Sequence, residues 1–116
     1  MRTTQRKGDI ALAQAIATFT KLGYDVLLPL TESAAYDLAV DTGTSIVRVQ
    51  AKFTSSKQVD LRNIHSNAQG YVVKKTIKNA YDWLYVLGVN NKQYLIKECL
   101  EGRRSVNFFD DRHLLL

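Results

Sequence analysis

Three side chains near the middle of the chain have the types and the spacing for hydrolytic chemistry: Asp37, Gln50 and Lys52. A hard cation such as Mg2+, or Mn2+ in its place, takes oxygen ligands and keeps several waters. Asp37 offers a carboxylate oxygen, Gln50 an amide oxygen, and the carbonyl of Ala51 between Gln50 and Lys52 a third. Lys52 is placed to orient or deprotonate an attacking water, or to offset charge on a phosphorane-like transition state. A metal to polarise the phosphate, a positioned water and a cation are what phosphodiester hydrolysis requires. The competing reading of the same residues is structural: Arg48 and Lys52 pair across strands with Asp37 and Asp41 as salt bridges. The pattern is short and occurs often by chance, so on spacing alone both readings stand.

The elements that position these residues are two strands. In Ile46-Val47-Arg48-Val49-Gln50-Ala51-Lys52-Phe53 the alternation is strict. Val47, Val49, Ala51 and Phe53 form one face, and Ile46, Arg48, Gln50 and Lys52 the other. Tyr36-Asp37-Leu38-Ala39-Val40-Asp41 puts Asp37, Ala39 and Asp41 on one face. The connection Asp41-Thr42-Gly43-Thr44 is short and contains glycine, which predicts an antiparallel hairpin over 36–53. An acid on one strand then meets Gln-x-Lys on its neighbour.

Around this hairpin the chain opens with a polar, basic arm over residues 1–7. A helix is expected from Gly8-Asp9 to Leu22, with Leu12, Ala15, Ile16, Phe19 and Leu22 as its apolar stripe. Asp9 suits the N-cap or first turn, and Gly23 the C-terminal cap. Tyr24 to Leu30 reads as a strand edged by Pro29, and Thr31 to Ala35 as a loop. Residues 54–70 read as a long polar loop in which only Val59-Asp60-Leu61-Arg62 resembles a strand. Residues 71–82 fit helix or strand. Trp83 to Val89 and Gln93 to Ile96 form a second hairpin around Asn90-Asn91-Lys92. Glu98 to Gly102 is expected to be a helical turn, and Val106-Asn107-Phe108 a last strand. Leu114-Leu115-Leu116 demand burial, in this domain or against another subunit. Helix, strands, a mixed segment and more strands make an α/β protein with a central mixed sheet flanked by helices.

The chain has 116 residues and one proline, which suits a single domain over 1–116. A chain of this size buries only ~60–70% of its surface, so an oligomer is plausible. Its formal charge is +5, from 16 Lys and Arg against 11 Asp and Glu. Basic small domains suit polyanionic partners, nucleic acid above all. Cys99 is the one cysteine, which excludes an internal disulfide and fits a reducing compartment. No apolar run reaches membrane-span length and no signal peptide opens the chain, so the expected location is the cytoplasm. Gly-rich phosphate loops, CxxC pairs, HExxH and G-x-S-x-G are absent. His65 and His113 stand far apart and read as surface or loop residues.

Asp37 with Gln50-Ala51-Lys52 resembles the PD-(D/E)XK nuclease superfamily. The chain is more closely similar to the branch holding group I intron-encoded homing endonucleases and small bacterial relatives. Lys7-Gly8-Asp9-Ile10, Gly23 to Leu30, Asp82-Trp83-Leu84-Tyr85-Val86 and Tyr94-Leu95-Ile96 carry that resemblance over most of residues 7–97. It implies a restriction-endonuclease-like core, Mg2+-dependent cleavage of DNA, and Asp37, Gln50 and Lys52 as the catalytic set. Gln50 in place of the superfamily's acid is usual in the branch, and Tyr36 in place of proline is tolerated. The first helix of the family often adds a glutamate to the metal site. Here the best register puts Leu12 in that place. Asp9, within about 60° of Leu12 around a helix, is the candidate partial substitute, whereas Gln14 points about 200° away.

Under this reading Lys57, Arg62, Lys74, Lys75 and Lys78 as a set track the phosphate backbone of double-stranded DNA; any one of them alone reads more readily as a plain solvated charge. Tyr71 and Tyr81 read as packing residues. One site per chain against two strands per duplex implies a homodimer or homotetramer. Two rivals remain: a DNA-binding or assembly module that keeps the nuclease fold without turnover, favoured by Leu12, and a basic protein-interaction domain that binds no DNA.

Overall fold

The computed structural model describes residues 3–55, 58–60, 63–67, 70–74, 79–88, 91–100, 105–107 and 114–115. One helix, α1 (Thr3–Lys21), is followed by β1 (Asp25–Leu27), β2 (Leu38–Asp41), β3 (Ile46–Phe53), β4 (Gln58–Asp60), β5 (Asn63–Asn67) and β6 (Gly70–Lys74). Then come β7 (Trp83–Leu87), β8 (Gln93–Ile96), β9 (Ser105–Asn107) and β10 (Leu114–Leu115). The main sheet has six strands in the order β1-β2-β3-β7-β8-β10. It is mixed, because β3 and β7 run parallel while its other pairs are antiparallel. Two ribbons stand apart from it, β4 with β9 and β5 with β6.

α1 starts five residues before the expected Gly8. The basic arm contains no helix breaker, and Lys7 Nζ lies 5.4 Å from the centroid of the Phe53 ring, tying the early turns to the end of β3. Asp9 is therefore the seventh helical residue and not a cap; the first turn holds no acid. The other end follows expectation. Gly23 adopts a left-handed φ of 90°. Its N–H donates to Thr20 O at 3.0 Å, and Tyr24 N–H donates to Phe19 O at 3.1 Å, closing a Schellman cap. Ala11, Ala15 and Phe19 are fully buried, with Leu12 and Ile16 packed at the margin. Leu22, expected on the stripe, lies past the last helical residue and is exposed.

The alternation along β3 decides the layering. Val47, Val49, Ala51 and Phe53 join Leu38, Val40, Tyr85 and Leu87 beneath α1 in one core. The opposite face is covered by a second core of Ala80, Tyr81, Leu84, Val86, Ile96 and Leu100, against which Tyr36 packs. Among the described residues no helix covers this second face, so the expected flanking helices reduce to α1. Tyr81 belongs to that core and accepts the Leu100 N–H at 3.3 Å, as its packing role required.

The β2–β3 hairpin has the expected register, with Ala39 opposite Arg48 and Leu38 opposite Val49. Its turn is held by Gly43 N–H donating to Asp41 Oδ1 at 2.9 Å and by Thr42 N–H donating to Ser45 O at 2.9 Å. Gly43, at φ 93°, supplies the left-handed conformation that the turn needs. The β7–β8 hairpin also follows expectation.

Other elements differ from the expectations. The strand foreseen from Tyr24 to Leu30 shrinks to Asp25–Leu27, because Pro29 has no N–H to give a ladder. Much of the long polar loop at 54–70 is β4 and β5; of the segment 71–82, residues 71–74 are strand in β6, 75–78 lie outside the described residues, and 79–82 are neither helix nor strand. β5 and β6 are ribbon strands held by backbone pairing, from Asn63 opposite Lys74 to Asn67 opposite Gly70. Glu98–Leu100 is not helical, while 101–102 lie outside the described residues. The strand expected at Val106-Asn107-Phe108 is Ser105–Asn107, beside β4. Leu114 and Leu115 are taken into the chain's own sheet, with their backbone paired to β8.

Candidate active site

Asp37 stands one residue before β2, and its N–H donates to Val49 O at 2.9 Å. That bond extends the hairpin register by one pair, so Asp37 faces Gln50. Asp37 Oδ2 then accepts the Ala51 N–H at 2.8 Å and the Gln50 amide Nε2 at a longer 3.4 Å. The N–H and C=O of one strand residue point to the same neighbour. Ala51 therefore also turns its carbonyl towards Asp37, past the last ladder pair of β2. The structure brings Asp37, Gln50 and Ala51 together as the alternation required. Lys52 follows in β3, half-buried, and its charge acts on Asp37.

Burial pushes the Asp37 carboxyl above the usual carboxylate range. The Ala51 N–H and the positive charge of Lys52 pull the other way but do not outweigh desolvation. Asp37 is thus a carboxylate whose negative charge is only partly matched by the protein.

Arg48, on the same strand face, has a different partner from either one expected. Its backbone N–H donates to Asp82 Oδ2 at 2.8 Å, and Asp82 N–H returns a bond to Arg48 O at 2.8 Å. The guanidinium adds Nε to Asp82 Oδ2 at 3.2 Å, Nη2 to Oδ1 at 3.3 Å and Nη1 to Asn79 O at 2.7 Å. These bonds hold Asp82 below the usual carboxylate range. Asp41 is occupied with the Gly43 turn. The cross-strand salt-bridge reading thus fails for Arg48 and Asp41. Sequence offered no sign of the Arg48–Asp82 pair, because its members are 34 residues apart.

An open cleft of about 300 Å3 lies beside Asp37, and Pro29, Thr31, Glu32 and Tyr36 are also in its lining. Glu32 went unnoticed in the sequence because it sits in a loop without periodicity. Asp9 is exposed on α1 and makes no hydrogen bond to Asp37 or Gln50. Of the basic set, Lys74 ends β6, and Lys57, Arg62, Lys75 and Lys78 lie outside the described residues. His65 and Tyr71 belong to the β5–β6 ribbon, and His113 lies outside the described residues.

The donor set suits a hard, hydrated cation. Among the described residues no three His, Cys, Asp or Glu come together. Asp37 Oδ1 accepts no hydrogen bond among the described residues, and the Ala51 carbonyl and Gln50 amide add oxygen. Mg2+, which binds through one or two carboxylates and keeps waters, fits that set.

A mixed sheet backed by a helix, with a carboxylate at the head of one strand and Gln-x-Lys on the next, is the restriction-endonuclease-like fold. Residues 2–99 match the family described as PD-(D/E)XK endonuclease, and the chain belongs to that family. Among solved structures it is similar to a bacterial homing endonuclease, I-Ssp6803I, with a TM-score of 0.75 and 26% identity. That match covers 94% of this chain and 80% of the other. No curated protein matches. No helix among the described residues is long and apolar enough to cross a membrane.

Proposed function

We propose that the protein is a Mg2+-dependent DNA endonuclease that hydrolyses phosphodiester bonds. The observation that carries this reading is the bond from Ala51 N–H to Asp37 Oδ2, which sets a partly matched carboxylate against Gln50 and Lys52. Family membership and likeness to a homing endonuclease support it.

Asp37, Gln50 and the Ala51 carbonyl would hold the metal, with Mn2+ as an alternative to Mg2+. When bound, the ion supplies Lewis acidity at the scissile phosphate and lowers the pKa of a coordinated water. Lys52 would orient the attacking water and offset the charge that builds on the phosphate oxygens. Asp37 owes its position to the Ala51 N–H, which fixes the carboxylate plane before substrate arrives. Lys57, Arg62, Lys74, Lys75 and Lys78 contact DNA phosphates, which makes affinity fall steeply with salt. Each chain supplies one such site, so cutting both strands of a duplex calls for a homodimer or homotetramer. The single thiol, Cys99, suits the reducing cytoplasm as the place of action.

One observation favours the second reading, a DNA-binding module without turnover: Leu12, in the family's glutamate position, packs against the apolar core. Plasmid nicking and linearisation with Mg2+, with EDTA and with Lys52→Ala separates the two. Cutting that needs metal and disappears in Lys52→Ala supports the enzyme. Duplex binding without cutting in Mg2+ or Mn2+, on plasmid and on a genomic library alike, supports the module.

A further inference from the structure

We propose that Lys7 of α1 is a DNA-phosphate contact that seats the duplex backbone beside Lys52; the inference deepens the nuclease reading and rests on it. Two aromatic contacts fix how α1 lies on the sheet. Phe19 packs against Trp83 at the start of β7, with ring centroids 6.2 Å apart, and Lys7 Nζ lies 5.4 Å from the Phe53 centroid at the end of β3. The helix therefore runs antiparallel to β3 and β7. Its early turns stand at the rim where both strands end, with Phe53 opposite Leu87. In open α/β sheets that rim, beyond the carboxyl ends of the parallel strands, is where ligands bind. Lys52 precedes Phe53 in β3 and points to the other face, so Lys7 and Lys52 flank the end of one strand from its two sides.

Packing alone does not ask for a lysine here. Steps of four residues carry the buried stripe of α1 from Phe19 through Ala15 and Ala11 to position 7, so the stripe calls for an apolar side chain. Lys7 instead lays its ammonium on the Phe53 ring and stays exposed. Among the described residues it forms no ion pair and no hydrogen bond. The ring restrains the charge without using its N–H donors, which an anion can take. The first turn of α1 holds no acid, and Asp9, two positions on, leaves the helix about 200° away from Lys7. DNA phosphate is the anion that the nuclease reading brings to this rim.

Lys97 is the internal comparison. Its Nζ lies 5.1 Å from the Trp83 centroid, the same kind of contact made away from the rim. Trp83 pairs with Val49, whereas the rim is at Phe53 and Leu87. At about 3.3 Å per residue, that places the Lys97 contact about 13 Å back along the strands. The two lysines share a chemistry and differ in place, so an effect confined to Lys7 reports the rim and not charge in general.

The test is duplex binding by the full-length chain in EDTA. The anisotropy of a fluorescein-labelled duplex of mixed sequence is followed over a range of KCl, since phosphate contacts act on any sequence. Lys7→Met keeps a stem to pack on Phe53 and removes the charge. It should weaken binding and lower the salt slope by about 0.9, and Lys7→Arg should restore the wild-type slope. Lys97→Met should leave the slope unchanged. Lys7 is exposed, and circular dichroism should find the fold of Lys7→Met intact. A wild-type slope in Lys7→Met, beside a lowered one when Lys74, Lys75 and Lys78 are replaced together, would overturn the role of Lys7 and leave the nuclease reading standing. Equal losses in Lys7→Met and Lys97→Met would also sink it, because they would show only an effect of net charge. If wild type binds no duplex at any salt concentration, both readings fall.

Discussion

Asp37 and Asp82 grip the same strand in the same way and come out with opposite electrostatics. Each accepts a backbone N–H from β3 at 2.8 Å, Asp37 from Ala51 on the β2 side and Asp82 from Arg48 on the β7 side. Asp82 is partly in water and meets the Arg48 guanidinium, so its charge is matched and its pKa falls. Asp37 is half-buried without a guanidinium, so desolvation raises its pKa despite Lys52. A backbone latch therefore does not tell a staple from a reactive site. The distinction lies in whether the protein itself cancels the charge that the latch holds in place.

The largest effect should separate the two aspartates in cleavage. Asp37→Asn or Lys52→Ala should reduce Mg2+-dependent cutting by at least about 10²–10³-fold, while Asp82→Asn keeps it within a few-fold; equal losses would erase the distinction. Asp37→Asn should also keep its duplex affinity, because its role is chemical. Replacing Lys74, Lys75 and Lys78 together should instead weaken binding and flatten the salt dependence by about 0.9 per lost phosphate contact. An unchanged slope in a salt titration would remove these lysines from the interface.

Stability should divide the pair in the opposite sense. Breaking the Arg48–Asp82 pair with Arg48→Ala or Asp82→Ala should cost about 1 kcal/mol, no more, because both side chains are over a third exposed and screened. Thermal unfolding would register this as a drop of a few degrees. Asp37→Asn should leave Tm unchanged or raise it in metal-free buffer, since it removes a partly desolvated charge while keeping an oxygen for Ala51 N–H. The smallest effect concerns acid. Asp82 has a folded pKa below its unfolded value, so its contribution is complete above about pH 4 and disappears as pH falls through the folded value. Arg48→Ala should flatten that part of the stability curve; an unchanged acid limb in urea titrations would assign it to other carboxylates.

The candidate site was legible because it is made by one hairpin. Strict alternation from Ile46 to Phe53, the short Asp41–Thr44 turn and the position of Asp37 fix which side chains meet, and the register Leu38 opposite Val49 follows. The end of α1 was legible at Gly23 for the same reason, since a Schellman cap is a contact among residues close in sequence. The β5 strand was not. Asn63-Ile64-His65-Ser66-Asn67 carries one apolar residue, so no alternation marks it, and pairing with β6 makes it a strand. The start of α1 was missed because polar residues near a helix end carry no periodic signal, and a contact with Phe53 helps hold them.

By itself, then, the sequence determined what depends on neighbours along the chain: the β2–β3 hairpin, the shared face of Asp37, Gln50 and Lys52, and the family pattern they carry. Tertiary structure alone decided the parallel pairing of β3 with β7, the partner of Arg48 34 residues away, and the cleft that joins Glu32 to Asp37. The physical reason is range. Periodicity and turns record the backbone's local geometry, whereas charge matching and burial depend on which distant segments the packed sheet and its second core bring to the same strand.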